Sequence, residues 1–326
     1  MSPIVWIVFI AFILLMLAID LGVFNREARV IHFKEAMGWL CVWVGLAAVF
    51  NVFLYYAYAG QWWGIGTGEG SALTAKDAAM EFLTGYLVEL SLSVDNIFVI
   101  AIIFQFFRVP AEFQHRVLFW GIIGAIVLRG VMILIGTELI MRYNWVIYIL
   151  GGFLILTAFK MLFMNVEEMH PEKNPVLKLA RRILPVSDRF DGHHFTTRVA
   201  GKWMVTPLFL CLILIETTDL VFAFDSIPAI FGITRDPFIV FTSNMFAILG
   251  LRTMYFGLSG LLSKFRFLSK ALVFVLLFVG VKMCIHHWVK IDNTVSLAVV
   301  AGILGIGVTL SLVVPEKEAE KKERAA

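Results

Sequence analysis

The chain alternates long apolar stretches with short polar gaps. A helix needs about 20 mainly apolar residues to cross the hydrocarbon core of a bilayer, and nine stretches reach that length. They cover about 4–24, 37–57, 81–105, 117–141, 144–164, 204–231, 238–262, 268–288 and 294–314. The pattern predicts an all-α, polytopic membrane protein with nine transmembrane helices.

Basic residues are distributed unevenly among the gaps between these stretches. Alternate gaps face the same side of a membrane; one set, which includes the C-terminal tail, holds 19 of the 27 lysines and arginines, and the other holds four. Cytoplasmic loops are enriched in Lys and Arg. We therefore predict an inner-membrane protein with an external N-terminus and a cytoplasmic C-terminus. The split also supports the count of nine, because losing one helix would mix the two sets.

Composition agrees with this class. Of 326 residues, 60% are apolar and 16% are charged, whereas soluble domains are about 45–50% apolar and about 25% charged. Cys41, Cys211 and Cys284 lie far apart inside apolar stretches, which indicates packing residues rather than a disulfide framework or a zinc site. The first stretch lacks a basic leader and a cleavage site, and this favours a retained helix over a signal peptide.

Five segments follow from the pattern. Residues 1–80 hold the first two helices and an outer loop, and 81–164 form a first three-helix unit. A basic cytoplasmic loop, 165–203, leads to a second three-helix unit, 204–289, and residues 290–326 hold the last helix and a charged tail.

Two of the connecting loops carry features with more than one interpretation. The loop 165–203 contains His170, His193 and His194 together with acids, which suits a metal sensor, but a solvated connector is the favoured interpretation. The outer loop 60–70 is rich in glycine without a phosphate-loop motif, and this indicates a flexible connector.

The two three-helix units carry the same charged landmarks in the same order. The landmarks are an acid pair six residues apart, a Leu-Arg pair and a Lys-Met pair: Glu89, Asp95, Arg129 and Lys160 in the first unit, and Asp219, Asp225, Arg252 and Lys282 in the second. The distances from arginine to lysine are 31 and 30 residues. Because each unit has three helices, the second copy would cross the membrane in the opposite direction, as in the inverted repeats of many secondary transporters.

Ionised side chains inside predicted spans need an explanation, because each costs about 2.5–3.5 kcal/mol at the bilayer centre. Five acids lie in the third and sixth spans: Glu89, Asp95, Glu216, Asp219 and Asp225. Ion pairing with Arg129 and Arg252 would account for two acids and merely lock the bundle. The alternative is a hydrated cavity that binds a cation, with both arginines as counter-charges. The surplus of acids favours the cation.

The candidate ligands, which include Asn96, offer oxygen atoms only. Such sites suit Mg²⁺, Ca²⁺ or Mn²⁺ better than Zn²⁺ or Cu⁺. Six residues turn a helix so that the two acids of a pair point about 120° apart. Both acids would therefore face one ion only if the helix were broken between them, and Pro228 supplies a possible breaker in the second unit.

Several motifs resemble the TerC family of bacterial membrane proteins, nearest to its Alx branch, and the resemblance covers residues 5–310. The motifs are Glu89-Leu-Ser-Leu-Ser-Val-Asp95-Asn96, Glu216-Thr-Thr-Asp219, Asp225-Ser-Ile-Pro228-Ala-Ile-Phe and Ser243-Asn244-x-Phe-Ala-Ile-Leu-Gly-Leu-Arg252. The resemblance implies an inverted-repeat exporter of manganese, in a family also associated with tellurium resistance and redox modulation. It implies a metal site built from Glu89, Asp95, Asn96, Glu216, Asp219 and Asp225.

From these observations we predict a transporter rather than an enzyme. It would export a divalent cation, Mn²⁺ before others, by cation antiport, with protons as the first candidate counter-ion and sodium as the second. It would hold no permanent cofactor. Its expected partners are the cation, the counter-ion and the lipid bilayer, and no nucleic acid. The alternative is a membrane stress-response protein, linked to tellurium resistance or redox modulation, that transports nothing.

Overall fold

The fold is known from a computed structural model. It describes residues 2–24, 33–67, 73–143, 145–163, 174–199, 201–258, 266–285, 288–289 and 291–314. The side chains of Asp95 and Arg252 lie outside this description, although their backbones belong to helices. The loop residue His170 and the charged tail after 314 also lie outside the described residues.

Long helices make up most of the described chain. They are α1 (Pro3–Phe24), α2 (Phe33–Ala59), α3 (Ala75–Phe107), α4 (Ala111–Arg142), α5 (Val146–Phe163), α7 (Pro207–Phe231), α8 (Pro237–Leu258), α9 (Arg266–Ile285) and α10 (Asn293–Val313). Each predicted span overlaps one of them. A short helix, α6 (Pro175–Ile183), and two strands, β1 (Thr196–Val199) and β2 (Lys202–Val205), lie between α5 and α7.

Five of the described helices are long and apolar enough to cross a bilayer. They are residues Glu35–Ala59 of α2 and the whole of α3, α4, α7 and α10, while α1, α5 and α8 contain shorter apolar segments. The predicted class, a helical protein that crosses the membrane several times, is confirmed. The count of nine crossings stays a prediction.

Polar residues at the helix ends explain where several spans begin. The Thr74 hydroxyl accepts a hydrogen bond from the Asp77 amide at 3.1 Å and caps α3. Asp236 accepts the Phe238 amide at 2.9 Å at the start of α8. These caps satisfy amides that have no partner within the helix.

The two predicted units are intertwined, because each helix of one unit packs mainly against a helix of the other. The most extensive pairings join α3 to α8, α4 to α7 and α5 to α9, and α3 also contacts α7. Gly151 of α5 faces Gly280 of α9, and a Cβ added at Gly280 would lie only 2.9 Å from the Gly151 carbonyl oxygen. Small residues thus let these backbones approach closely, as is common between membrane helices.

The remaining long helices surround this core. Helix α2 packs on α3 and α8, α10 packs on α3 and α9, and α1 lies against α8. A cluster of phenylalanine rings joins α1 and α2 to α8, with the Phe50 and Phe246 centroids 4.7 Å apart.

The predicted break between paired acids is wrong. Helix α7 runs from Pro207 to Phe231 without interruption, and α3 is a helix throughout Ala75–Phe107. Pro228 lies in the last turn of α7, after both acids, and the helix continues through it to Phe231, although its missing amide leaves the Phe224 carbonyl without its usual helical donor. The acids of a pair therefore keep their separation of about 120° around the helix.

The segment between α5 and α7 is more ordered than a simple connector. Strands β1 and β2 pair antiparallel, with Thr196 opposite Val205. The Ser187 amide donates to the Val205 carbonyl at 2.8 Å, and the Val205 amide donates to the Pro185 carbonyl at 2.8 Å. These bonds hold the segment against the start of α7.

Candidate ion-binding site

Arg129 of α4 lies at the centre of the candidate site. Its side chain is 1% exposed and reaches groups on three other helices. Its Nε and Nη2 donate to the two carboxylate oxygens of Asp219 on α7, at 3.3 and 3.0 Å. Its Nη1 donates to Oδ1 of Asn244 on α8 at 3.3 Å and forms an ion pair with Glu89 of α3. Arg129 thus contacts acids of both predicted units, and the same expectation for Arg252 stays a prediction.

Glu89 and Asp219 hold matching positions in the two predicted units, and both carboxylates bind the same guanidinium. Glu89 is fully buried, and Asp219 is 15% exposed. Buried charges are tolerated when they are paired and hydrogen-bonded, and the planar guanidinium suits two-point contact with a carboxylate. Arg129 therefore acts as an internal counter-charge for acids from both units.

A small cavity adjoins this cluster between α3, α4, α7 and α8. Its volume is about 30 Å³, and its polar lining comes from Asn96, Arg129, Thr218 and Asp219. The rest of the lining is apolar. This space holds about two water molecules. The predicted ligand Asn96, 4% exposed, thus shares a cavity with Asp219.

Several buried polar atoms on α3, α7 and α8 lack hydrogen-bond partners within the described part of the chain. They are Oγ of Ser93, Nδ2 of Asn244, Oε2 of Glu216, Oγ of Ser226 and, apart from the ion pair, both oxygens of Glu89. Leaving such atoms unpaired costs about 1–3 kcal/mol each. Water or an ion bound at these oxygens would remove that cost.

Glu216 lies one turn before Asp219 on α7. Its carboxylate packs directly on Gly124 of α4, and a Cβ at position 124 would overlap the carboxylate atoms. The absence of a side chain at Gly124 therefore makes room for Glu216. This carboxylate lies between α7 and α4, on the helix pair that also joins Asp219 to Arg129.

Asp225 lies apart from the arginine cluster. It accepts a hydrogen bond from Oγ1 of Thr157 on α5 at 3.1 Å, and Lys160, one turn further along α5, is close enough to interact electrostatically. The unbroken α7 turns Asp225 toward α5 and Asp219 toward α4. The predicted ligands thus form two groups, one at Arg129 and one at Thr157.

The structure does not assemble all predicted ligands in one shell. Among the residues that it describes, no three His, Cys, Asp or Glu side chains form a metal-ligand set. The side chains of Asp95 and Arg252 lie outside the description, so their predicted roles stay predictions. In the loop, the rings of His193 and His194 lie 4.7 Å apart before β1.

Sequence reasoning missed several groups that complete the site. Asn244 belongs to a family motif but was not predicted as a site residue, yet its amide oxygen accepts a hydrogen bond from Arg129. Thr157 lies three residues before the landmark Lys160, but the matching position in the second unit is Val279, so the repeat gave no signal. Gly124 carries no polar group at all.

A second polar cluster lies where α2 and α9 end and α3, α8 and α10 begin. Buried Glu81 accepts from Nδ2 of Asn293 at 2.9 Å, Lys282 donates to Ser296 at 2.9 Å, and Tyr58 donates to Asp236 at 2.8 Å. Lys282, a repeat landmark, therefore belongs to a helix-end network. Asp292 caps α10, and hydrogen bonds from Thr294 hold the pKa of this carboxyl below its usual range.

Comparison with known proteins agrees with the motifs. The profile described as "Integral membrane protein TerC family" matches residues 74–319. A protein of Myxococcus xanthus named uncharacterized membrane protein STKORF319 is 51% identical over 312 residues, which cover 96% of this chain and 93% of that protein. Alx of Escherichia coli K12, whose name proposes a membrane-bound redox modulator, is 46% identical over 304 residues, 93% of this chain and 92% of its own. No solved structure gives a significant match.

Proposed function

This chain belongs to the TerC family of integral membrane proteins, and we propose that it exports a divalent cation, Mn²⁺ before others, in exchange for protons. The observation that carries the proposal is the meeting of Glu89 and Asp219, from matching positions of two units, at Arg129 beside a small cavity that Asn96, Thr218 and Asp219 also line.

The packing of the helices supports an inverted repeat. Exchanging α3, α4 and α5 with α7, α8 and α9 turns the α3–α8 contact into the α7–α4 contact, and the α5–α7 contact into the α9–α3 contact. The α3–α7, α4–α8 and α5–α9 contacts map onto themselves. This is the pattern of two units related by a twofold axis, with α1, α2 and α10 outside them.

In the proposed cycle, Arg129 takes the place of the cation whenever none is bound. It neutralises one of the charges of Glu89 and Asp219, and Glu216 one turn away adds another carboxylate to the same pair of helices. A divalent cation entering the cavity would meet Asn96, Thr218 and Asp219, and each of these side chains carries an oxygen atom. The cation would compete with the guanidinium for the carboxylates, and Arg129 would keep its hydrogen bond to Asn244.

The chemistry of the donors narrows the choice of cation. Carboxylate, amide and hydroxyl oxygens favour Mg²⁺, Ca²⁺ and Mn²⁺ over softer metals. The preference for Mn²⁺ within that group rests on the resemblance to TerC proteins. Asp225 faces a different side of α7, toward Thr157 and Lys160. It would therefore bind the cation at a second position on its way across the membrane.

Energetics requires a counter-ion, and we propose protons. Moving a divalent cation outward against an inside-negative potential costs about 4.6 kcal/mol per 100 mV, twice the cost for one charge. Carboxylates that release the cation into the exit path are left as buried anions, and protons are the smallest ions that neutralise them. Export in this sense requires the predicted orientation, with the N-terminus outside the inner membrane and the C-terminus in the cytoplasm.

Redox modulation without transport is the second candidate, and the name of the Escherichia coli relative favours it. Measurement of cell metal content separates the two. Cells with and without the protein are loaded with Mn²⁺, Mg²⁺, Ca²⁺, Fe²⁺ or Zn²⁺, and the exporter is expected to lower cell Mn²⁺ selectively. Equal metal content with and without the protein, under every load, would favour the second candidate.

A further inference from the structure

The short helix α6 presents three different faces. Leu177 and Ala180 are buried and pack into the main apolar core. Leu179 and Ile183, one turn apart, are 56% and 68% exposed. Between these two faces lie the exposed basic residues: Lys178, Arg181 and Arg182. An exposed apolar stripe beside a basic stripe is the pattern of helices that lie in a membrane surface.

The hairpin that follows repeats this combination. Trp203 of β2 is 67% exposed, and the guanidinium of Arg198 on β1 lies 6.0 Å from the centre of its ring. Tryptophan is enriched at the boundary between membrane and water. Over residues 174–206, six basic residues stand against two acids, Asp188 and Asp191.

Contacts with the spanning helices hold this segment in a fixed position beside the first turns of α4 and α7. β2 ends at Val205, and α7 begins at Pro207. The guanidinium of Arg116, in the first turns of α4, lies 5.3 Å from the ring centre of Phe195, and the Thr206 hydroxyl donates to the His194 carbonyl at 2.8 Å. The exposed apolar side chains are therefore kept beside the ends of two spanning helices.

We propose that this surface lies in the headgroup layer of the cytoplasmic leaflet and binds anionic phospholipid headgroups. The lipid-facing surface consists of Lys178, Leu179, Arg182, Ile183, Arg198 and Trp203. Its apolar side chains enter the boundary with the acyl chains, and its guanidinium and ammonium groups pair with phosphate, since anionic lipids attract basic segments next to spanning helices. The proposal does not depend on transport.

Spin labels test the position of α6 in the full-length protein. Cys41, Cys211 and Cys284 are replaced by serine or alanine, and a label is attached through Ile183→Cys or, as a control, Asp188→Cys, an exposed acid of the same segment. The protein is reconstituted in phosphatidylcholine vesicles with or without phosphatidylglycerol. With phosphatidylglycerol, the label at 183 is expected to meet oxygen more readily than a water-soluble nickel complex, and the label at 188 the reverse.

Charge variants test the headgroup class. The combined change Lys178→Gln, Arg182→Gln and Arg198→Gln, which removes the three basic groups of the lipid-facing surface, is expected to abolish the effect of phosphatidylglycerol at position 183. Arg142→Gln, an exposed arginine at the end of α4, is expected to leave it intact. Equal burial in both kinds of vesicle would contradict recognition of anionic headgroups. A label that stays accessible to nickel in both would overturn the proposal and assign the surface to solvent or a protein partner.

A second measurement avoids the cysteine replacements. Quenching of tryptophan fluorescence by brominated phosphatidylglycerol is compared between the parent protein and Trp203→Phe. The proposal predicts that the brominated lipid quenches one component of the parent's fluorescence, that of Trp203, which is absent from the variant. Identical quenching curves would place Trp203 away from the lipid and contradict the proposal.

Discussion

Arg129 of α4 donates two hydrogen bonds to the carboxylate of Asp219 on α7, at 3.0 and 3.3 Å. The same guanidinium is paired with Glu89 of α3. An arginine buried at membrane depth is expensive unless it is paired, and here it is paired with acids from both predicted units. In the proposed mechanism, the positive charge of Arg129 neutralises these acids when no cation is bound.

Arg129→Gln tests this role directly. The variant leaves Glu89 and Asp219 buried without their counter-charge, which should destabilise the metal-free protein by about 3–5 kcal/mol. Mn²⁺ should then raise the melting temperature of the variant more than that of the parent. Thermal unfolding in detergent, with and without Mn²⁺, measures both effects, and exposed Arg142→Gln is the control. Equal protection of parent and Arg129→Gln by Mn²⁺ would show that the ion does not replace the guanidinium.

Gly124→Ala should impair transport through Glu216. The added methyl group overlaps the position of the Glu216 carboxylate, whereas the same change at Gly152 meets no atom within 4 Å. We expect reduced Mn²⁺ efflux for Gly124→Ala and normal efflux for Gly152→Ala at matched protein levels. Adding Glu216→Asp, which shortens the side chain, should restore part of the activity. Normal efflux by Gly124→Ala would argue against any role for the position of this carboxylate.

Thr157→Val removes the hydroxyl that donates to Asp225 at 3.1 Å, and Thr157→Ser keeps a hydroxyl there. One hydrogen bond to a charged carboxylate contributes about 1.5–3 kcal/mol, so the valine variant should need about tenfold more Mn²⁺, or a larger excess, for half-maximal efflux. The serine variant should behave like the parent. Concentration curves in vesicles measure the difference, and coinciding curves for valine and serine would remove Thr157 from the site.

Orientation is open to a direct measurement. The distribution of basic residues predicts that position 65 is external and position 185 is cytoplasmic. Reporter fusions that are active on only one side of the membrane, inserted at these positions, should give opposite signals. An external position 185 would contradict the predicted topology and would place the lipid-facing surface of α6 in the outer leaflet.

The sequence predicted those parts of the fold and site that are marked by residues rare in their surroundings. Each apolar stretch corresponds to a helix, and charges inside spans pointed to Glu89, Arg129 and Asp219, because ionised groups in apolar segments are conspicuous. Pairing of Arg129 with Asn244 and seating of Glu216 on Gly124 were not predictable, since amides and glycines also occur in ordinary packing. These partners come from other helices, and helix spacing alone does not show which faces meet.

Two expectations failed or fell short for reasons of local geometry. Pro228 was expected to break α7 between its acids, but it lies in the last turn, after both of them, and the helix continues through it to Phe231 despite the loss of one hydrogen bond. As a result, Asp219 and Asp225 face α4 and α5 instead of one ion. The predicted loop 165–203 contains α6 and most of a hairpin, and buried Leu177 and Ala180 of α6 join it to the core. Two apolar positions among many basic residues are too short a pattern to predict a packed helix.

The central claim, that acids inside the membrane carry a divalent cation, is tested most directly by Mn²⁺ flux in proteoliposomes. The parent protein should move Mn²⁺ only when a proton gradient is imposed. Asp95→Asn, Asp219→Asn and Asp225→Asn should each abolish this flux while the protein stays inserted, and Glu216→Gln should reduce it less. Exposed Asp188→Asn should have no effect. If Asp95→Asn and Asp225→Asn both carry Mn²⁺ as fast as the parent, the acids serve only to lock the bundle, and the transport account is wrong.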